Sequence, residues 1–390
     1  MDKPVQNYLQ TLSIFTFSLL LLSGCSDSST PTDTNNTTDD DPVTTVETTT
    51  VKDGAVVETA ALVSLGEKLY NDTDLSSPAG QSCASCHTPA VGFDDPDSGD
   101  ATSLGADGTS IGNRNSPTAS YAAHIPDTQT ILRAPLGGGP AIAVLIGGQF
   151  LDGRAESLEE QAKGPFLNPG EMANASEADV IATIKLATYA TDFEALFGAN
   201  ILDDVDASYD YIADAIAAFE RTTLFSPFTS KFDQVQDGSA VFTLAETRGQ
   251  NLFNGRAQCD TCHTTGNGEP QVFSDFEYKN IGVPANTTLD ADLGAPANDL
   301  GLGGETGDAQ DNGKFRTSNL RNIAITAPYM HNGVFTSLQE VIEFYNTRDI
   351  TPVTPEISQN VDDGGNIGEL GLSAGEIQDL IAFLETLTDQ

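Results

Sequence analysis

Read for periodicity, the chain divides into an apolar leader, a polar stretch with nothing to bury, and a long body of helical patterns separated by Gly- and Asp-rich connections. Leu12 to Leu22 is the one long, mostly apolar run. It follows Lys3 and is too short to span a bilayer, which is the layout of a secretory signal. From Ser26 to about Thr50 nearly every residue is Ser, Thr, Asp, Asn or Pro and none is aromatic, so a disordered tether is expected. In the body, Val57, Ala60, Leu62, Leu65 and Leu69 fall at helical spacing over Val56 to Tyr70, and Ala245 to Asn254, with Leu252 and Phe253, repeats the arrangement. Glu177 to Phe197 (Ile181, Ile184, Leu186, Phe193) and Tyr209 to Leu224 (Ile212, Ile216, Phe219) read as amphipathic helices. Ser337 to Tyr345 and Ser373 to Leu387 read likewise, the second opening on the capping-box-like Ser373-Ala374-Gly375-Glu376. No sustained period-2 pattern marks a strand. Gly92 to Gly112 and Thr264 to Gly313 are expected to be long loops organised by a ligand.

Composition adds a compartment and excludes some partners. The leader ends in Leu22-Ser23-Gly24-Cys25, which resembles a bacterial lipobox whose cysteine is acylated after cleavage; the alternative is plain signal cleavage that leaves Cys25 over. A periplasmic, membrane-tethered lipoprotein is expected. With 390 residues, 38% of them hydrophobic, the chain can build two cores. The 57 acidic and 17 basic residues give a formal charge of −40, which disfavours nucleic acid and anionic membrane surfaces as partners. An acidic face that steers a basic partner is one use of such charge. The acids are scattered rather than blocked, which favours plain solubility.

Chemistry enters with Cys83-Ala84-Ser85-Cys86-His87 and Cys259-Asp260-Thr261-Cys262-His263. Both are C-x-x-C-H, the attachment pattern of c-type haem: two thiols one turn apart meet the two vinyl groups, and the next residue lies beneath the iron. Four of five cysteines and two of four histidines are used this way. A four-thiolate zinc site is the rival, but it leaves the paired histidines unexplained, and 172 residues separate Cys86 from Cys259. A dithiol redox motif expects a βαβ context that is missing.

Around these pentapeptides the sequence resembles the bacterial dihaem cytochrome c peroxidase and MauG superfamily, from about Leu62 to Gln390. The matching stretches are Arg114-Asn115-Ser116-Pro117-Thr118; Asp152-Gly153-Arg154-Ala155-Glu156 running through Gln161-Ala162-Lys163-Gly164-Pro165 to Glu171-Met172; and Leu320-Arg321-Asn322 running through Thr326-Ala327-Pro328-Tyr329-Met330-His331 to Gly333. The resemblance implies a mainly α fold of two cytochrome-c-like haem domains packed with a calcium-type site at their interface. The implied organisation is a signal at 1–25, a tether at 26–55, a peroxidatic haem domain at 56–235 and an electron-transfer haem domain at 236–390. It implies iron ligation by His87 and His263, and a catalytic pair, Gln161 and Glu171, on the open face of the first haem. Chemistry needs such a pair, because a carboxylate can move a proton between the peroxide oxygens while an amide holds the peroxide in line. Calcium would be held by Asn115, Thr326 and Pro328, oxygen ligands that suit the ion, unless these only cap a turn.

Departures from the peroxidase pattern matter as much. No histidine lies between His87 and Arg114 to cap the first haem, so that haem is expected to be open, as in MauG; His124 is the possible substitute cap. Tyr345 stands where the peroxidase branch has a methionine ligand, and MauG has tyrosine there; Met330 is the rival sixth ligand. A phenolate would lower the reduction potential that a thioether raises. The inter-haem Trp is replaced in Phe150-Leu151-Asp152, which weakens any claim of charge sharing between haems. The leading expectation is reduction of hydrogen peroxide with electrons from a small cytochrome c or cupredoxin. The alternatives are MauG-like oxidation of residues on a partner protein and plain electron transfer, against which the Gln161 and Glu171 pair argues.

Overall fold

The computed structural model describes residues 51–390 apart from 53–54, 57–58, 97–99, 135–138, 266–270, 352 and 363–366. The leader, Cys25 and the tether up to residue 50 lie outside the described residues. The tether was expected to run on to residue 55, yet β1 (Val51–Lys52) and β2 (Ala55–Val56) pair antiparallel. The helices are α1 (Ala60–Asn71), α2 (Cys83–Cys86), α3 (Leu158–Leu167), α4 (Glu177–Ile184), α5 (Ala190–Phe197) and α6 (Val205–Glu220). After them come α7 (Lys231–Gln236), α8 (Leu244–Phe253), α9 (Thr287–Leu293), α10 (Leu302–Thr306), α11 (Leu338–Thr347) and α12 (Ala374–Glu385). None is long and apolar enough to cross a membrane.

Among the described residues two large hydrophobic cores form, beside one small cluster of Ala122, Leu158 and Ala217. The first gathers Leu62, Leu65 and Leu69 of α1 against Ile212, Ile216 and Phe219 of α6, with Phe225 behind them. The second gathers Phe253 of α8, Ile342 of α11 and Ile377, Leu380 and Phe383 of α12. One device serves both. A Cβ on Gly66 would stand 1.9 Å from the Ala215 carbonyl oxygen, and one on Gly249 would stand 1.9 Å from that of Asp379. Each glycine thus lets a helix lie directly on the backbone of its partner. The chain builds the same helix crossing in each half, ahead of each C-x-x-C-H pentapeptide.

Local signals place the helix ends. The Thr59 side chain accepts the Leu62 N–H at 3.1 Å, so α1 starts at Ala60 rather than at Val56. The capping box expected at α12 is present, with Ser373 and Glu376 each bonded to the other's backbone. The single helix expected over Glu177 to Phe197 is broken into α4 and α5. Ile184 and Phe193 are both fully buried. Nine residues at about 100° each would put them on opposite faces of one helix, so both reach the core only if the chain turns between them. Leu186, expected on the buried face, is 88% exposed.

Strands appear where none was expected. β3 (Gln129–Arg133) and β4 (Ile142–Ile146) form an antiparallel hairpin. Its residues are mostly exposed, Leu132 among them, so neither face carries the alternation that marks a half-buried strand. The stretch from Thr264 to Gly313 is less loop-like than expected. It contains α9, α10 and β5 (Tyr278–Lys279), which pairs antiparallel with β6 (Phe315–Arg316). Polar contacts also join distant stretches of the chain: Arg114 pairs with Asp152 and with Asp299, and the Tyr278 hydroxyl donates to the Gly147 carbonyl at 2.6 Å.

Candidate active site

Both C-x-x-C-H pentapeptides open onto one cavity of about 470 Å³, lined by Cys83, Cys86 and His87 and by Cys259, Cys262 and His263. Each pentapeptide is a single tight turn, closed by the histidine N–H on the carbonyl of its first cysteine, at 2.9 Å for His87 and 2.8 Å for His263. The ring of each histidine is then aimed by a second bond. His87 Nδ1 lies 3.1 Å from the Phe93 carbonyl oxygen, and His263 Nδ1 lies 2.9 Å from that of Phe273. Phe93 and Phe273 present those carbonyls from left-handed backbone, φ 58° and 59°. With Nδ1–H donating to a carbonyl, the Nε2 lone pair is left for a metal. Burial pushes both imidazoles below their ordinary range, so they stay neutral and able to ligate.

The thiols fit covalent haem as well. All four are free of disulfides, and burial raises Cys83 and carries Cys259 up to about 12. The four-thiolate zinc alternative does not fit: among the described residues no three His, Cys, Asp or Glu side chains gather to hold a metal ion. A mostly apolar cavity that presents two thiols and one directed imidazole from each pentapeptide suits two haems c.

On the first haem's side, Gln161 of α3 and Glu171 line the cavity together with Ala162, Pro165 and Asn168. Glu171 sits on a tight turn after α3, where its N–H meets the Asn168 carbonyl at 3.0 Å and its own carbonyl accepts the Ala106 N–H at 2.7 Å. Gly170 permits this approach, since a Cβ there would stand 2.9 Å from the Ile111 carbonyl oxygen. The Asn168 amide donates to Glu171 Oε1 at 3.0 Å. Burial raises the Glu171 carboxyl above its usual range, against the downward pull of Arg154 and of the Asn168 bond. The histidines that line the cavity are His87, His263 and His331. His331 is engaged by Glu356 at 3.0 Å and stacks on Phe315. His124, the possible cap, packs instead against Tyr121 and Phe228 and is not in the cavity wall.

On the second side, Tyr345 of α11 and Met330 both line the cavity. Burial raises the Tyr345 phenol first, and Cys262 and Cys259 raise it further. The three residues expected around calcium line one cavity. Asn115 Nδ2 donates to the Pro328 carbonyl at 2.7 Å, and Thr326 lines the large cavity along with both of them. A second small cavity, lined by Asp94, Asp95, Asp100, Asn115 and Pro328, adjoins that bond.

Sequence reading missed Glu220 and Arg316. Glu220 ends α6 beside Arg221 and looks like a surface residue, yet it is buried in the cavity wall and raises Cys83. Burial carries its own carboxyl up to about 8. Arg316 is buried as well, bonded to the Phe150 carbonyl at 3.1 Å with its Nε unpaired. Neither lies in a motif whose spacing announces a role.

The family model of di-haem cytochrome c peroxidases matches residues 60–241. The methylamine utilization protein MauG of Paracoccus denitrificans is 43% identical over 354 residues, 85% of this chain and 89% of the relative. The cytochrome c551 peroxidase of Nitrosomonas europaea is 30% identical over 338 residues, 85% of this chain and 81% of the relative. Among solved structures, the diheme peroxidase BthA of Burkholderia thailandensis superposes with a TM-score of 0.75 at 30% identity, covering 85% of this chain and 87% of that one. Likeness over this much of its length, together with two attachment turns on one cavity, makes the chain a member of the dihaem cytochrome c peroxidase and MauG family, an oxidoreductase that acts with peroxide and carries two c-type haems.

Proposed function

We propose that this protein reduces hydrogen peroxide to water at the haem held by Cys83, Cys86 and His87, with electrons relayed through the haem held by Cys259, Cys262 and His263. The observation that carries the reading is that Gln161 and the buried carboxyl of Glu171 line the same cavity as His87, while His124, the possible cap, does not line it. Bound haem supplies the open iron position and the electrons. Glu171 takes the proton from the inner peroxide oxygen and returns it to the outer one, which then leaves as water. A carboxyl lifted toward neutrality does both halves of that transfer better than an ordinary one. The Gln161 amide holds the peroxide in line by hydrogen bonding. Residues 56–235 then act as the peroxidatic half and residues 236–390 as the electron-transfer half, fed by a small cytochrome c or cupredoxin. The lipobox-like Cys25 supports a lipoprotein tethered on the periplasmic side.

A second reading, MauG-like oxidation of residues on a partner protein, is favoured by Tyr345. Tyr345 lines the cavity that holds the second attachment turn, as does its rival Met330, and the 43% identity is to a protein named MauG. Calcium belongs to the proposal too: Asn115, Thr326 and Pro328 line one cavity, and the Asn115 side chain and the carbonyls of Thr326 and Pro328 would take an ion in exchange for the direct Asn115–Pro328 bond.

The test is Glu171→Gln. The variant should keep both haems and its resting spectrum but slow peroxide cleavage by about 10²–10⁴-fold in stopped-flow measurements. Unchanged turnover would remove Glu171 from the mechanism.

A further inference from the structure

Tyr121 lies outside the cavity wall, and it is fully buried. Its hydroxyl donates to the Asp389 carboxylate, 2.8 Å from Oδ2 and 3.0 Å from Oδ1, and accepts the Phe228 N–H at 3.1 Å. The carboxylate is itself held in place by the Thr229 N–H at 3.0 Å and the Asn322 amide at 3.1 Å. Such a bond matters for redox chemistry because a phenol that loses an electron becomes a strong acid. The electron leaves readily only where a base is waiting for the proton. Tyr70, Tyr209, Tyr278 and Tyr329 donate to main-chain carbonyls, which do not take up protons. Tyr189 does donate to a carboxylate, Asp72, and is the natural control.

What distinguishes Tyr121 is its link to both histidine turns. Its N–H donates to the Phe225 carbonyl at 3.1 Å, and the Phe225 ring packs 4.2 Å from that of Phe93, whose carbonyl aims His87. On the other side the Arg321 guanidinium lies 5.4 Å from the Tyr121 ring and 5.6 Å from the Phe273 ring, whose carbonyl aims His263. Arg321 is 1% exposed and held by Asp233 at 2.7 and 2.9 Å. A fixed cation so near the ring opposes a positively charged phenol radical and favours loss of the proton together with the electron.

We infer that Tyr121 is an electron donor to the peroxide reaction, with Asp389 as its proton acceptor, used when no reduced partner protein is docked. The inference rests on the family's peroxide chemistry and not on which protein supplies electrons in turnover. Reduction of hydrogen peroxide to two waters takes two electrons and two protons. In this step one electron comes from the second haem, left one electron more oxidised than in its resting state, one comes from Tyr121, and the two protons consumed come from solvent water. The phenolic O–H breaks, its proton passes to Asp389 Oδ2, and a neutral phenoxyl radical remains beside a neutral carboxylic acid. Two one-electron donations from a reduced cytochrome or cupredoxin later restore the second haem and Tyr121, and Asp389 returns the phenol's proton.

The experiment adds hydrogen peroxide to the ferric dihaem protein without an electron donor and freezes samples for electron paramagnetic resonance, with residual peroxide measured in parallel. Expected is an organic radical whose hyperfine pattern collapses when the protein is grown on ring-deuterated tyrosine. The signal should be lost in Tyr121→Phe, which keeps the ring, and in Asp389→Asn, which keeps an acceptor oxygen but no base. It should be unchanged in Tyr189→Phe. If peroxide is consumed with no tyrosine radical, or if the radical persists in Tyr121→Phe and Asp389→Asn, the inference is overturned while the peroxidase reading stands. If the wild type consumes no peroxide, both are overturned.

Discussion

Gly249→Ala drives a methyl group into the point where α8 crosses α12. The new Cβ would stand 1.9 Å from the Asp379 carbonyl oxygen and 2.7 Å from both its carbon and the Phe383 Cβ. Ordinary contact begins at 3.4 Å, so the helices must part by about 1.5 Å, the difference between 3.4 and 1.9. A backbone carbonyl cannot swing aside as a lysine tip can, which puts the cost at or above the upper end of the ~1–3 kcal/mol usual for overpacking. The better helix propensity of alanine returns about 1 kcal/mol. The net is a loss of about 2 kcal/mol, or a melting temperature lower by roughly 4–8 °C in a protein of this size class. Gly375→Ala is the internal control. It lies in the first turn of α12 with nothing within 4 Å of the added Cβ, so it should be neutral or slightly stabilising. Thermal unfolding of the dihaem protein, followed by circular dichroism, separates the two. Melting of Gly249→Ala together with Gly375→Ala and wild type would show that the close crossing of α8 and α12 does not limit stability, and the same reasoning at Gly66 would fall with it.

Three further outcomes are expected. Tyr345→Phe should perturb the low-spin signal of the second haem and raise its reduction potential, because an anionic donor that favours oxidised iron is lost; an indifferent spectrum would hand the position to Met330. Glu220, whose folded carboxyl titrates at about 8, keeps a proton that the unfolded chain releases near pH 4.5, so its stabilising contribution is full below that pH and is lost as the pH rises to 8. Glu220→Gln should therefore gain on wild type between pH 5 and 8, by up to about 5 kcal/mol, and parallel pH–stability curves would refute a buried, titrating carboxyl. Calcium should be found in the purified protein, and its removal with a chelator should lower the melting temperature; protein isolated without calcium and indifferent to added calcium would leave Asn115 and Pro328 as a capped turn.

The two attachment pentapeptides were legible without coordinates because their chemistry depends on spacing within one turn, which local sequence encodes. The same is true of α8 and α12, whose capping boxes and apolar stripes are short-range signals. Resemblance to the family pointed to Gln161 and Glu171, which no periodicity marks. Other features depend on residues far apart in the chain. Ile184 and Phe193 decide the break between α4 and α5 only because both must reach one core. The β3–β4 hairpin carried no alternation because it has no buried face to encode.

The histidine rings are aimed by carbonyls of Phe93 and Phe273, residues that look like ordinary core phenylalanines in the sequence. Glu220 reads as one more acid among 57 until α6 places it in the cavity wall. Tyr121 and Asp389 are 268 residues apart, and nothing short of the folded chain puts a phenol on that carboxylate. The sequence by itself determined what is attached, because covalent and capping chemistry acts over a few residues. Only the tertiary structure decided which buried acids and rings surround the attached groups, because burial and proton acceptance are properties of neighbours that the chain brings in from a distance.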